Sequence, residues 1–367
     1  MKVLCDREKL REALAVVNSV VPSKTTKAVL TNVCMVASAD ALELVGTDLD
    51  VAVRYRLSDD VKVDETGTLL VPARVALDFV RDLSGETLVI EAGSARCVLR
   101  SGEDDCELVM ADPEEFPVVP RFEDGGACTM QAGRFSNLVG KTAFAAAREQ
   151  GRYAMHGVLT EVEDQNLRLV ATDGRRLAVA SAPLEARRPL EKPVIVPTKA
   201  LQLFCRVVRD PLENVQLSFS ESQIGFRTAQ AEVFARLIDG EFPRYAAVLP
   251  REATHRVEAD AELFSRKLRL VANVTGDEAR AVRLSFQNGQ MELFGQSAGR
   301  GEAHARMAVE YGGDDAEIAF NPDFVLDGIK NCEGGTLKLE FNERTSPGKF
   351  QLGENYVYVV MPITIDV

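Results

Sequence analysis

Three aspartates carry the residue type that hydrolytic chemistry needs: Asp48 and Asp50 in "GTDLDVAV", and Asp173 in "ATDGRRLAV". Grouped carboxylates can hold divalent cations and support phosphodiester cleavage. The same residues also suit turns. An Asp side chain bonds nearby backbone, and a following Gly accepts positive φ. The rest of the chain offers no partner for metal chemistry. Its three histidines, His156, His255 and His304, are scattered, and no HxH, HExxH, GxSxG or GxxxxGK[ST] arrangement occurs. Seven cysteines (Cys5, Cys34, Cys97, Cys106, Cys128, Cys205, Cys332) include no CxxC pair. They read as reduced, mostly buried small hydrophobes, not as a zinc site or a disulfide framework. No catalytic residue, metal or cofactor is expected.

The turn reading gains weight from an internal repeat. The Thr-Asp pairs start at Thr47 and Thr172, 125 residues apart. "VPAR" at 71–74 answers "VPTK" at 196–199 with the same offset, and "EFPVVP" at 115–120 answers "EFPRYAAVLP" at 241–250. A third, fainter copy holds "QMELFGQSAGR" at 290–300 and "FNPDFVLDGI" at 320–329, and there the Asp is missing. A carboxylate that changes company between copies is a turn residue before it is a catalyst. The enzyme reading is further weakened because its aspartates belong to different copies. The expected domains are 1–122, 127–250 and 251–367, a division that suits a chain of 367 residues.

Each copy shows the same order of elements. An amphipathic helix (6–21, 134–149, 261–275) precedes a hairpin with a short polar turn. A helix opened by proline follows (72–83, 197–208, 321–332), and more hairpins close the copy. The expected fold class is α+β: three tandem modules, each with two helices packed on roughly eight antiparallel strands. With no tryptophan and 6% aromatic residues, the cores should be aliphatic.

The formal charge is −13, which argues against a protein that simply coats nucleic acid. The predicted helices nonetheless carry a small net positive charge, so strands and loops hold the acidic excess. Helices gathered on one surface could face a polyanion while the acidic remainder repels it. Candidate phosphate contacts are Lys24, Arg74, Arg81, Lys141, Arg148, Lys199, Arg206 and Arg209. Such contacts would be weak and sequence-blind, because no stacking platform or base-reading motif accompanies them. The opening residues lack a signal-peptide core, and no run approaches eighteen apolar residues. A cytoplasmic location is expected. A repeat-built scaffold that never meets DNA is the competing non-enzymatic reading.

The stretches "MKVLCDREKL", "GTDLDVAV", "VPAR", "ATDGRRLAV", "VIVPTKAL", "DGEFPRYAAVLP", "NPDFVLDGI" and "YVVMPITI" resemble, in order and over the whole chain, the bacterial sliding-clamp family. These are the β subunits of the replicative DNA polymerase III. The resemblance implies a DNA-clamp module repeated three times and a head-to-tail homodimer closing as a ring around double-stranded DNA, with helices lining the hole. It implies a processivity factor with no chemistry of its own. The ring contact would involve Cys106 and Leu108 of the first module and Val274 of the third. Tyr153 would sit near the DNA-facing side.

The resemblance also implies a groove for short linear motifs of the DNA polymerase III alpha subunit, the clamp-loader delta subunit and other DNA-processing proteins. On this chain it would be lined by Arg152, Tyr153, Met155, Thr172, Gly174, Arg175, Arg176, Leu177, Pro243, Val248, Asn321, Phe324, Val359, Val360, Met361, Pro362 and Ile363. Apolar residues there would take a partner's Leu or Phe, and arginines would fix its polar end. Arg175 stands where the family often has His, and Ala154-Met155 replace a bulkier pair. The chain ends in "TIDV" where a basic residue often follows the Met-Pro pair. Asp366 and the terminal carboxylate should therefore weaken binding of peptides with acidic flanks.

Overall fold

A computed structural model describes the chain except residues 124–126, 150, 152, 187–189, 191, 250–251, 277–279 and 365–367. Six α-helices occur among the described residues: α1 (Arg7–Asn18), α2 (Ala73–Asp82), α3 (Ala132–Thr142), α4 (Thr198–Val207), α5 (Ala261–Ala272) and α6 (Pro322–Ile329). Twenty-five strands accompany them, and every strand pairing is antiparallel.

The chain forms two compact units. The first comprises Met1–Phe135, Leu184–Arg188 and Lys199–Leu237. It holds a five-stranded sheet and an eight-stranded sheet. In the larger sheet the strand Ala231–Arg236 of the central repeat pairs with Val51–Leu57 of the first, Val233 opposite Val53. The second unit comprises Ser136–Pro183, Pro189–Thr198 and Ile238–Val367, with an eight-stranded and a four-stranded sheet. There Arg176–Pro183 of the central repeat pairs with Tyr356–Val360 of the third, Leu177 opposite Val359. Backbone hydrogen bonding thus runs on across each repeat boundary. The central repeat is divided between the units, a division that sequence offsets alone could not show.

Helix ends follow local chemistry. Asp6 caps α1, its carboxylate accepting from the Lys9 amide at 2.8 Å, and Asp260 caps α5 through the Leu263 amide at 2.7 Å. Leu10, Ala13, Leu14 and Val17 recur at helical spacing and are buried. Asn321 caps α6 ahead of Pro322. In the first two repeats the proline sits one place earlier than expected: Pro72 is the cap of α2, and Pro197 ends the strand before α4. Helix α3 stops at Thr142, short of the expected 149, and a 3-10 turn at Ala143–Ala145 follows. Gly46 lets α1 lie close on its sheet, since a Cβ there would meet the Val17 side chain at 2.6 Å.

The cores are less aliphatic than expected. Phe135, Phe204 and Phe226 are fully buried in the first unit, with Phe204 and Phe226 stacked at 4.4 Å. Tyr356 and Tyr358 are buried in the second. Few aromatics are present, but the sheets place them at the centre, where a large side chain removes most apolar area from water.

Candidate functional site

The opening aspartates are turn residues. Asp173 Oδ1 accepts from the amides of Arg175 at 2.9 Å and Arg176 at 3.0 Å. Asp48 Oδ1 accepts from Asp50 at 3.1 Å and Val51 at 2.8 Å. The preceding threonines repeat the match. Thr172 Oγ1 donates to the Arg176 carbonyl at 2.6 Å, and Thr47 Oγ1 to that of Val51 at 3.0 Å. The residue after each Asp has left-handed backbone, Gly174 at φ +85° and Leu49 at φ +81°. No group of acidic, His or Cys side chains among the described residues could hold a metal.

In the second unit this turn forms one wall of an apolar groove with a cavity of about 110 Å³. Met155, Thr172, Gly174, Arg176, Leu177, Pro243, Tyr245, Val248, Val359 and Met361 line it. Nine of these belong to the set expected from sequence; Tyr245 does not. The strand pairing of Leu177 with Val359 brings the two walls together across 182 residues of chain. Ala154, Leu159, Val170 and Ile195 pack beneath them as floor. Met361 extends the wall through a 2.8 Å bond from its amide to the Arg175 carbonyl.

Arg176 is the electrostatic centre of the groove wall. Its side chain is only 11% exposed. It donates to Asp173 at 3.0 Å, to Asp327 at 2.7 Å and to the Phe144 carbonyl at 3.0 Å. The guanidinium lies over the rings of Phe144 and Phe324, 5.4 and 4.7 Å from their centroids. Burial, the largest single influence, would make this cation easier to discharge, but Asp327, Tyr358 and Asp173 together outweigh it and hold the charge. Asp327 also pairs with Lys330 at 3.6 Å. Tyr245, which sequence reasoning missed, donates to Glu161 at 2.8 Å; burial and that carboxylate push its phenol up to about 12. Its signal was present in "FPRYAAVLP", but the first repeat's shorter "EFPVVP" has no counterpart.

The remaining expected groove residues lie around this cavity and do not line it. Phe324 backs the groove through Arg176, and Asn321 caps α6. Val360 is fully buried in the sheet. Pro362 and Ile363 are half-buried beyond Met361, and Ile363 bonds to the Ala319 carbonyl at 2.8 Å. Tyr153 is 36% exposed, and Arg175 is exposed at the rim. Arg152 and Asp366 lie outside the described residues.

The basic candidates divide into three groups. Lys141 is a correction: it is buried and ion-paired with Glu333 at 2.5 Å, so its ammonium is unavailable to phosphate. Arg74, Arg81, Lys199 and Arg209 are exposed but paired, with Asp78, with Asp78 and Asp82, with Asp48 and with Glu12, respectively. Lys24, Arg148 and Arg206 are exposed and have no ion pair among the described residues.

Each of the four sheets ends in two terminal strands with one edge that pairs with no further strand among the described residues, and two of these eight bear on the expected ring contact. Asp104–Val109 bonds only to Arg96–Ser101 in the first unit, and Gly301–Ala308 only to Gln290–Ser297 in the second. Of the expected contact residues, Leu108 is buried in its own sheet, while Cys106 and Val274 are half-buried. The neighbouring Val109, 62% exposed, and Leu270 on α5, 55% exposed, were not singled out from sequence. Alternation explains the first case: adjacent strand residues face opposite ways.

Three family models match the chain in order: the N-terminal domain of the DNA polymerase III beta subunit over residues 1–120, the central domain over 129–244 and the C-terminal domain over 246–364. The beta sliding clamp of Pseudomonas putida is 29% identical over 368 residues, covering 100% of both chains. That of Chlamydia trachomatis is 28% identical, covering 100% of this chain and 87% of its own. Among solved structures, the DNA polymerase III subunit beta of Pseudomonas aeruginosa is 28% identical with a TM-score of 0.93, and the sliding clamp of Bacillus subtilis is 25% identical with a TM-score of 0.95; each alignment spans 100% of both chains. With three matched domains in family order along nearly its whole length, the chain belongs to the bacterial DNA polymerase III beta subunit family, the sliding clamps.

Proposed function

We propose that this chain is a processivity clamp that works by binding and performs no chemistry. Two copies join head to tail into a ring around duplex DNA, and the groove beside Arg176 holds short linear segments of DNA-processing proteins. The DNA polymerase III alpha subunit and the clamp-loader delta subunit are the partners this reading names first. A closed ring stays on DNA through topology, so weak, sequence-blind phosphate contacts are sufficient and leave it free to slide. Lys24, Arg148 and Arg206 are the best placed for such contacts, since each is exposed and unpaired among the described residues.

The observation that carries the reading is that two of the terminal strands, Asp104–Val109 and Gly301–Ala308, combine an unpaired edge with a large exposed apolar side chain, Val109 on the first and Leu270 on the helix packed against the second. An open edge invites pairing with another chain. A head-to-tail contact between one edge of each copy would satisfy both, and a heterologous contact that closes makes a ring. Val109 and Leu270 would supply apolar area beside the paired edges. No described helix is long and apolar enough to cross a membrane, and the proposed partners place the protein in the cytoplasm.

Loading onto nicked circular and onto linear DNA, with a clamp loader and ATP, tests the reading. A clamp is retained on circles and lost from free ends. Equal retention on both, or a solution mass of one chain at micromolar concentration, would overturn it.

A further inference from the structure

The strand pairing that builds the groove occurs a second time, in the first unit. Ala52 pairs with Phe234 there as Leu177 pairs with Val359, each partner 125 positions earlier. The Arg236 amide bonds to the Asp50 carbonyl at 2.9 Å, as the Met361 amide bonds to that of Arg175. Pro117 answers Pro243 in the repeated EFP segments. A cavity of about 260 Å³ lies at this place, and Leu49, Asp50, Pro117, Val118, Phe234 and Arg236 are among the residues that line it. Beneath it, Val119 and Phe234 join a buried cluster with Cys34, Val45 and Leu70.

Nothing inside the fold covers the apolar rim of this cavity. Val118 is 97% exposed, more than any other large apolar side chain among the described residues, and Leu49 is 39% exposed. Apolar residues left in water around one cavity mark a contact surface. Leu49 also holds left-handed backbone at φ +81°, a cost that glycine escapes in the equivalent turn. A strained leucine that the core does not enclose is the kind of residue a ligand contact retains. The charges point to the kind of ligand. Asp50 on the rim, Glu114 and Glu115 in the turn before Pro117, and Glu221 in the turn before the lining residue Gln223 are all exposed. None has an ion pair among the described residues, and these carboxylates outnumber the Arg236 guanidinium on the rim. Two further cations near it, Lys199 and Arg121, are held by Asp48 and Glu43.

We infer that the first-unit cavity is a second docking site, which takes a linear segment of a partner protein bearing a Leu or Phe anchor flanked by lysine or arginine. The anchor lies against Leu49, Val118 and Phe234, and the basic flank faces the carboxylates of Asp50, Glu115 and Glu221. The inference stands on the cavity's own residues and is independent of the groove beside Arg176.

Photo-cross-linking of two peptides to the full chain tests it. Both carry the same photoreactive Leu-Phe anchor; one has lysine flanks and the other glutamate flanks. Adducts are mapped by mass spectrometry, and their yield against peptide concentration gives an affinity for each site. The Lys-flanked peptide should label 47–52 and 117–120 with roughly tenfold higher affinity than the Glu-flanked one at low salt, as several exposed pairs together allow. V118S should weaken that labelling about fivefold through lost apolar contact. L49G should do the same without lowering the melting temperature, a combination that a purely structural role for Leu49 would not give. The double reversal D50K/E115K should erase the lysine preference, and G174L should leave first-unit labelling unchanged. First-unit labelling that is absent, equal for the two peptides, or untouched by V118S and L49G would overturn the inference, whatever happens at 172–177. A lower solution mass for V118S with undiminished labelling would assign the cavity to a second copy of the chain and overturn it too. Absence of labelling at 172–177 and 359–361 with both peptides would count against the groove reading alone.

Discussion

Arg176 donates a 2.7 Å hydrogen bond to Asp327, 151 positions further along the chain. The bond ties the turn of the central repeat to α6 of the third, and the same guanidinium lies between two phenyl rings. Removing it leaves Asp173 without its cation and Asp327 with Lys330 alone, and takes away one groove wall. R176A should lower unfolding free energy by about 2–3 kcal/mol and weaken peptide binding at least tenfold. R176K should recover only part of each, because an ammonium cannot serve three acceptors in one plane. Urea unfolding and peptide titration check both.

Gly174 and Leu49 hold nearly the same left-handed φ in equivalent turns, and a Cβ at Gly174 would meet nothing within 4 Å. The chain itself therefore shows that a leucine can occupy this turn. G174L should fold with a penalty of about 1–2 kcal/mol from the left-handed backbone. Its side chain should obstruct the groove and abolish detectable peptide binding there. Unchanged binding with an unchanged melting curve would contradict the geometry.

The basic residues predict two separable phenotypes. K141A removes a buried stem and its ion pair, but Glu333 is 49% exposed and water can take over its charge, so the fold should lose only about 1 kcal/mol. It should leave the salt dependence of DNA binding unaltered. Joint alanine replacement of Lys24, Arg148 and Arg206 should do the reverse: little effect on stability, and a salt slope reduced by up to about 3. DNA binding measured from 50 to 200 mM salt distinguishes them.

Acid should loosen the first unit through Glu43. Burial alone would push this carboxyl up, but Arg121 and Arg54 outweigh it and hold it below its ordinary value of 4.5. The unfolded chain then binds the proton more readily than the folded one, so stability rises with pH across that interval. The contribution is fully present above about pH 5 and disappears as pH falls through the depressed folded value. E43Q should flatten this part of the acid limb in pH-dependent unfolding.

Much of this was legible along the chain. Apolar spacing marked all six helices to within a few residues, except that α3 stops well before 149. There the helix gives way to a 3-10 turn whose Phe144 backs Arg176, a long-range contact that overrides local periodicity. Repeat offsets of 125 residues pointed to equivalent turns, and the hydrogen bonds of Asp48 and Asp173 match. Nine of the ten groove-lining residues came from motif resemblance, whereas Tyr245 fell in a segment with no repeat counterpart.

What the sequence determined by itself was modular: three copies, their helix and strand periods, their caps and their turns, all set by contacts between residues close in the chain. Tertiary structure alone decided which strands join across copies, that Lys141 is spent on Glu333, and that Arg176 is enclosed while Arg175 stays free of ion pairs among the described residues. Adjacent arginines are indistinguishable as letters. Their roles separate only when Asp327 and two phenyl rings arrive from elsewhere in the chain, because charge and burial depend on neighbours in space.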